Sequence, residues 1–267
     1  MATIPNGYDF GRALIESEMR ILKGAATPRG RNIVSYMTSP FAAFVRDDFT
    51  GDALDTLKWA VDGDTGTTQF AIPAAGSTVA GGSLTGSTAT DDNEFIAIYG
   101  HAIHSGDRNA GMLCTWEVDV VDDLCFEIGL SDPVTDYTLP AVNDIDTPSI
   151  TNGAVTVALL AQDTDQTLVT STLLMDGDST YATSAVAPAT AWSPTAATKY
   201  TTIVQTSGDN VWCAILGPQY QTIAEIKGVA AFEGGTLVQP RVTFGNRAAS
   251  SAKAPVLYRL WAWSDKA

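Results

Sequence analysis

Hydrophobic and polar residues alternate along 112–121, where Leu113, Thr115, Glu117 and Asp119 are interleaved with Cys114, Trp116, Val118 and Val120. A period of two is that of a strand with one buried face, so the pattern predicts a strand whose Trp116 points inward. The alternation resumes over 124–130 after Asp122-Asp123, a pair that suits a turn and disfavours a strand. The expectation is two successive strands joined by a short acidic turn, forming a meander at the centre of a sandwich.

Similar short runs recur to the C-terminus, near 57–61, 68–72, 78–85, 94–100, 154–161, 167–174, 199–205, 210–216, 221–231, 236–243 and 256–263. Gly, Asp, Asn, Pro and Ser clusters separate them, among them Asp62-Gly63-Asp64, Asp176-Gly177-Asp178 and Ser207-Gly208-Asp209-Asn210. Longer loops are expected at 131–153 and 175–198. So many strands without an intervening helical pattern predict one antiparallel two-sheet sandwich over 47–267.

The first 46 residues read differently. Asp9 as N-cap, good helix formers to Lys23, and Gly24 just beyond predict a short helix with Leu14, Ile15, Met19 and Leu22 near one face. Pro28 and Pro40 then favour an extended segment. Alone it cannot bury Ile33, Val34, Tyr36, Met37, Phe41 and Phe44, so it is expected to lie along a partner or along the sandwich. Residues 1–46 are therefore read as a docking helix and arm, with contacts at Phe10, Arg12, Leu14, Arg20, Arg29, Arg31, Tyr36, Phe41 and Phe44.

Charge sharpens this division. The net charge is −15, yet residues 1–46 carry Arg12, Arg20, Lys23, Arg29, Arg31 and Arg46 against Asp9, Glu16 and Glu18, a sum of +3 that leaves −18 for the body. So acidic a body argues against nucleic-acid binding, while a basic arm suits an acidic protein surface. The opening residues lack a cationic and then apolar leader, and no apolar run approaches the ~20 residues that span a bilayer. The expectation is a chain made in a cytoplasm, with no membrane partner. Cys114, Cys125 and Cys213 are an odd count in strand contexts, which favours free buried thiols, although Cys114 and Cys125 stand as candidate cross-strand neighbours.

Several phrases carry a resemblance. The opening Asp47-Asp48-Phe49…Gly51…Leu57…Trp59, the central Trp116-Glu117-Val118-Asp119-Val120…Phe126-Glu127-Ile128-Gly129-Leu130 and the closing Leu257–Trp263 strand resemble the concanavalin A-like jelly roll. More narrowly, FEIGLSDPVTDYTLPAVNDIDTP, TNGAVTVALLAQDTDQTL and DDNEFIAIYG resemble bacteriophage virion proteins, which often carry such a jelly roll on the outside of a head or tail. The resemblance implies an all-β sandwich with an N-terminal helix and extended arm, and a structural role on the capsid exterior. Its implied partners are the major capsid protein and further copies of itself, as a dimer or trimer.

Candidate chemistry is sparse. Residues 116–122, WEVDVVD, resemble the laminarinase-type glycoside hydrolase motif, which would make Glu117, Asp119 and Asp122 the working carboxylates. Asp122 stands where that family has Glu, one methylene short and in an expected turn, which is poor acid–base geometry. Residues 91–94, 143–146 and 163–165 are rich in oxygen ligands and are candidates for a structural Ca²⁺, but none has EF-hand spacing and no other cofactor is expected. His101 and His104, three apart on a strand, would face opposite sides and suit no shared metal. Trp261 and Trp263 share a face of the last strand and are candidate contacts for a host surface glycan, beside the alternative of a core or subunit-interface role. The sequence thus reads as a non-enzymatic capsid-decorating or cement protein, with a glycan-binding adhesin or fibre head, and then a glycosidase, as the alternatives.

Overall fold

The computed structural model describes residues 42–265, apart from 75–81, 155, 167–169, 177–183, 209, 230–231, 233–235 and 250. The expected helix at 9–23 and the arm residues Phe10, Arg12, Leu14, Arg20, Arg29, Arg31, Tyr36 and Phe41 lie outside the described residues. Among those that are described there is no helix. In chain order the strands are β1 (Ala42–Asp47), β2 (Trp59–Gly63), β3 (Thr68–Ala71), β4 (Leu84–Ser87), β5 (Glu94–Gly100), β6 (His104–Ser105), β7 (Gly111–Glu117), β8 (Leu124–Ser131) and β9 (Val142–Asp144). There follow β10 (Ser149–Ile150), β11 (Val157–Asp163), β12 (Thr172–Asp176), β13 (Ser184–Val186), β14 (Tyr200–Ser207), β15 (Asn210–Leu216), β16 (Thr222–Val229), β17 (Leu237–Asn246) and β18 (Val256–Asp265).

Two eight-stranded antiparallel sheets face one another. Sheet I runs β16-β15-β14-β7-β18-β4-β3, with β1 also paired to β18; sheet II runs β13-β12-β11-β8-β17-β5-β2, with β6 also paired to β17. This is the antiparallel two-sheet jelly-roll sandwich that the sequence implied.

The expected central meander is corrected. β7 and β8 are consecutive but unpaired: β7 lies in sheet I between β14 and β18, and β8 in sheet II between β11 and β17. The link from Val118 to Asp123 crosses from one sheet to the other, and Asp123 takes a left-handed φ of 51° at its end. Alternation marks a strand with a buried face, but it does not say in which sheet its neighbour lies. Cys114 and Cys125 are accordingly not cross-strand neighbours, and all three cysteines are free and buried.

Trp116 does point inward, as expected. Its ring lies 5.1 Å from Phe126 and 5.6 Å from Phe244, both on sheet II, and 5.7 Å from Tyr200 on its own sheet. Its indole N–H donates to Thr202 Oγ1 at 3.0 Å, so the largest apolar side chain at the centre is also satisfied as a donor. The opposite face of β7 is not the polar one that alternation implied. Leu113 and Thr115 are buried too, and β8, β11 and β12 are buried along their whole length.

The boundary at 46/47 cuts a strand. β1 pairs with β18 over six residues, Ala42↔Asp265 through Asp47↔Leu260, so Phe44 belongs to the sandwich. The loop expected at 131–153 holds the small β9–β10 hairpin, and that at 175–198 holds β13.

Gly129 shows how tightly the centre of sheet II is built. A Cβ there would stand 2.1 Å from the Ala158 carbonyl oxygen, which is fixed backbone. Gly208, at a φ of +55°, would meet nothing within 4 Å. Gly129→Ala is therefore expected to lose about 3 kcal/mol or more, and Gly208→Ala only about 1 kcal/mol of backbone strain. Chemical denaturation of the two variants checks the order.

Candidate functional site

The outer face of sheet II carries the most elaborate polar arrangement among the described residues. By the period of two, β8 directs Glu127, Gly129 and Ser131 outward, β17 directs Gln239, Arg241 and Thr243, and β5 directs Tyr99. Glu127 and Arg241 are 1% and 0% exposed, and their Oε2 and Nε stand 3.3 Å apart. Burying two charges is tolerable only when both are paired and bonded elsewhere. Glu127 accepts the backbone N–H groups of Ala141 at 3.0 Å and Val142 at 2.7 Å. Arg241 donates to Thr243 Oγ1 at 2.9 Å and to the Leu139 carbonyl.

All three backbone partners belong to the loop between β8 and β11, so the pair clips that loop onto the sheet. Tyr137 completes the clip. Its ring stacks on Tyr99 at 3.6 Å and 13°, and the Arg241 guanidinium lies 5.7 Å from its centroid. Its hydroxyl accepts from Gln239 Nε2 at 2.8 Å. Beneath the loop Val134, Ala141, Val142, Ile145 and Ala154 pack on Val157, Leu159, Ala161 and Leu174 of the sheet. At its far end Asn152, at a φ of 60°, donates to Leu139 O at 3.2 Å and accepts from the Asp136 N–H at 2.8 Å.

The rim of this arrangement is where a ligand can reach it. Tyr99 and Tyr137 are half-buried, and Leu139 is 45% exposed. Burial first, and then the neighbouring Tyr137 and Asp62, hold the Tyr99 hydroxyl above its ordinary pKa, so it stays a neutral donor. Hydrogen bonds from Thr138 hold the Asp136 carboxyl below its ordinary range. Aromatic edges beside amide and carboxylate groups can hold a hydroxylated ligand.

The glycosidase reading does not gain a constellation. β7 ends at Glu117, so Asp119 and Asp122 fall in the crossing link rather than on one strand with it. Glu117 accepts the Tyr258 hydroxyl at 2.6 Å, and Asp119 accepts the Ala254 N–H at 2.7 Å. Burial, and then the bond to Glu117, raise the Tyr258 pKa well above its ordinary value.

Trp261 and Trp263 are corrected as glycan contacts. They are 1% and 0% exposed and belong to an apolar cluster with Leu113, Ile203, Trp212, Ala214 and Leu216 on the outer face of sheet I. The Arg46 and Arg259 guanidinium groups lie 5.1 and 4.9 Å from the Trp261 ring, and Asp48 accepts its indole N–H at 3.1 Å. Neither ring has a face open to a sugar.

The oxygen-rich loops are put to structural use. Asp163 holds Arg247, which also donates to Asn93. Asp144 Oδ1 accepts the Thr147 N–H at 2.8 Å. Among the described residues no three His, Cys, Asp or Glu side chains converge as metal ligands. His101 is bonded to Leu57 O at 3.0 Å, while the buried His104 is bonded through Nδ1 to Ser264 Oγ at 3.2 Å.

Sequence reading missed Glu127, Arg241, Tyr137, Tyr99 and Gln239. One signal was available: Glu127 and Arg241 are each the one charged residue of their strand, and such charges must find each other if both strands are central.

No protein-family profile matches this chain, and no curated protein sequence matches it. Solved structures do. A protein of unknown function from Shewanella oneidensis MR-1 superimposes with a TM-score of 0.55 at 9% identity, over 90% of this chain and 95% of that one. Peanut lectin gives 0.54 at 13% identity, over 84% and 97%. The CBM2 module of the evolved Dit of Lactobacillus casei BL23 phage J-1 gives 0.50 at 10% identity, over 85% and 97%. At such identities the likeness establishes a shared lectin-like fold.

Two outcomes test the site. Arg241→Met leaves Glu127 buried without its cation and should cost ~3–5 kcal/mol, with protease cleavage appearing within 132–156. Adding Glu127→Gln should recover part of that loss, as measured by thermal unfolding. His104 supplies a pH dependence: burial lowers its pKa from 6.5 to about 4. The folded state binds its proton less readily than the unfolded chain, so stability is full above pH ~6.5 and falls as the pH drops toward 4, by up to about 3 kcal/mol. His104→Gln should flatten that part of the stability–pH curve.

Proposed function

We propose that this chain is a non-enzymatic structural protein of a bacteriophage virion, carried on the capsid exterior as a decorating or cement protein and made in the host cytoplasm. Its partners are the major capsid protein and further copies of itself, as a dimer or trimer.

The observation that carries this reading is how the N-terminal segment joins the sandwich. It enters through β1, which is bonded along six residues to β18, itself a neighbour of the central β7. Arg46 is fixed there by Asp48 at 2.6 Å and by Trp261. An arm that merely trailed from a loop would transmit little; one stitched into the middle of a sheet couples whatever it binds to a rigid body. The charge division supports the same reading, since a segment at +3 leads into a body at −18. Many such arms on one shell would add their modest affinities through a shared lattice. The sharing of this fold by a phage module is consistent with it.

A second reading, a glycan-binding adhesin or fibre head, is favoured by one specific feature: the half-buried Tyr99 and Tyr137 beside Gln239 and Asp136 on a lectin-like sandwich. Aromatic edges beside amide and carboxylate groups are the chemistry a sugar needs.

Co-sedimentation with capsids separates the two. Removal of residues 1–41 should lower capsid binding about tenfold or more, while Tyr137→Ala in the full chain leaves it unchanged. Capsid binding retained by the truncated chain would remove the arm from the function. Host polysaccharide binding that is lost in Tyr137→Ala would establish the second reading instead.

A further inference from the structure

Two buried acceptors stand side by side at one end of sheet II, and neither has a donor. Asn246 closes β17, Glu94 opens β5, and the two are paired in register. Residues so paired share a face, with Cβ atoms about 5 Å apart. That face is the inner one, because Phe244 and Ile96, the next pair on the same side of the same strands, belong to the core. Asn246 is 0% exposed. Its Nδ2 donates to the Asp91 carbonyl at 3.1 Å, which sets the carboxamide against the 91–94 turn, and its Oδ1 has no hydrogen-bond partner. Glu94 Oε2 is enclosed as well and likewise has none, although the residue as a whole is half-buried.

An ionised carboxylate and an amide oxygen can only accept. A buried acceptor without a donor forfeits its hydration and receives nothing in return, and two of them together also repel. What satisfies both at once is positive charge. The surroundings sharpen that demand. Burial first, and then the charges of Asp64 and Asp91, hold the Glu94 carboxyl above its ordinary range. Asp64 is fixed beside β5, because its Oδ2 accepts the Phe95 N–H at 2.8 Å. The cation next to Asn246 in the chain, Arg247, is committed elsewhere, to Asp163 and Asn93.

We propose that Glu94 and Asn246 hold a calcium ion at this end of the sandwich, with the carboxylates of Asp64 and Asp91 adding charge and water completing its shell. Ca²⁺ takes carboxylate, amide and water oxygens together in a flexible geometry, whereas Mg²⁺ demands a near-ideal octahedron and gives up its own water reluctantly. No three acidic, histidine or cysteine side chains converge among the described residues, and this site does not require them, since one of its ligands is an amide oxygen. A bare ion also sits closer to an oxygen than a water molecule does, so it fits where water has no room. Once bound, it ties the 91–94 turn and the start of β5 to the end of β17. This assignment goes beyond both functional readings and depends on neither.

The test uses the isolated full-length protein at neutral pH, first stripped with a chelator. Addition of about 5 mM Ca²⁺ should raise the thermal midpoint by roughly 4 °C or more, and calorimetric titration should show one site per chain. Glu94→Gln should still fold, since its amide can donate to Asn246 Oδ1, and should lose both responses. Asp146→Asn, in the separate loop between β8 and β11, should keep them. Asn246→Asp exchanges an amide oxygen for a carboxylate and should lower the half-saturating Ca²⁺ several-fold; an unchanged value would overturn the proposal. An equal gain from Mg²⁺ or from added NaCl would be screening of the acidic body and would overturn it, as would Ca²⁺ binding that survives Glu94→Gln. No response at all would mean that a proton on Glu94 closes the pair, which also overturns it.

Discussion

The constraint on which this architecture depends is that the central strands of its sheets are buried on both faces. In a simple sandwich each strand buries one face and wets the other, and polar residues alternate accordingly. Here β8, β11 and β12 are buried throughout, and β15 and β17 are buried along all but their first residue. Each sheet therefore requires a second cover in addition to its opposite sheet. On sheet II that cover is the loop between β8 and β11, seated on Val157, Leu159, Ala161 and Leu174. On sheet I the same physics acts on Trp212, Trp261 and Trp263.

Apolar contact alone would let such a cover slide. The Glu127–Arg241 pair supplies direction, because each charge is satisfied only when the loop backbone at Leu139, Ala141 and Val142 is in one place. Misplacing the loop leaves the carboxylate and the guanidinium without their backbone partners, at a cost above that of a lost surface contact. The half-buried rim around Tyr99 and Tyr137 is thereby held in one place.

Much of the fold was legible because strands announce themselves by composition and turns. The runs at 94–100 and 210–216 coincide with β5 and β15, and Trp116 faces the core as its alternation implied. What alternation cannot carry is partnership: the 112–121 and 124–130 runs read as a hairpin, yet a six-residue link takes them to different sheets. The site was less legible for a related reason. Glu127 sits where the pattern expects an outward polar residue, and outward is where it points, but outward is not exposed on a covered sheet. Trp261 and Trp263, candidate glycan contacts beside a core or interface role, are buried on an outward face in the same way. β1 was hidden because Ala42–Asp47 follows a stretch with prolines and was read as part of the arm.

Covered faces also limit where function can reside. A jelly roll that binds on an open sheet face needs that face accessible, and here sheet II is roofed by the loop between β8 and β11 while sheet I holds buried indoles. The groups that resemble catalytic carboxylates are committed to the crossing link: Glu117 ties β7 to Tyr258, and Asp119 ties the link to Ala254. Releasing either for chemistry would loosen the passage between the sheets, through which the chain runs from Trp116 to Phe126 within ten residues. Among the described residues the groups left open lie on loop rims, while the segment that enters through β1 brings a sequence charge opposite to the body's to a strand bonded beside the central β7.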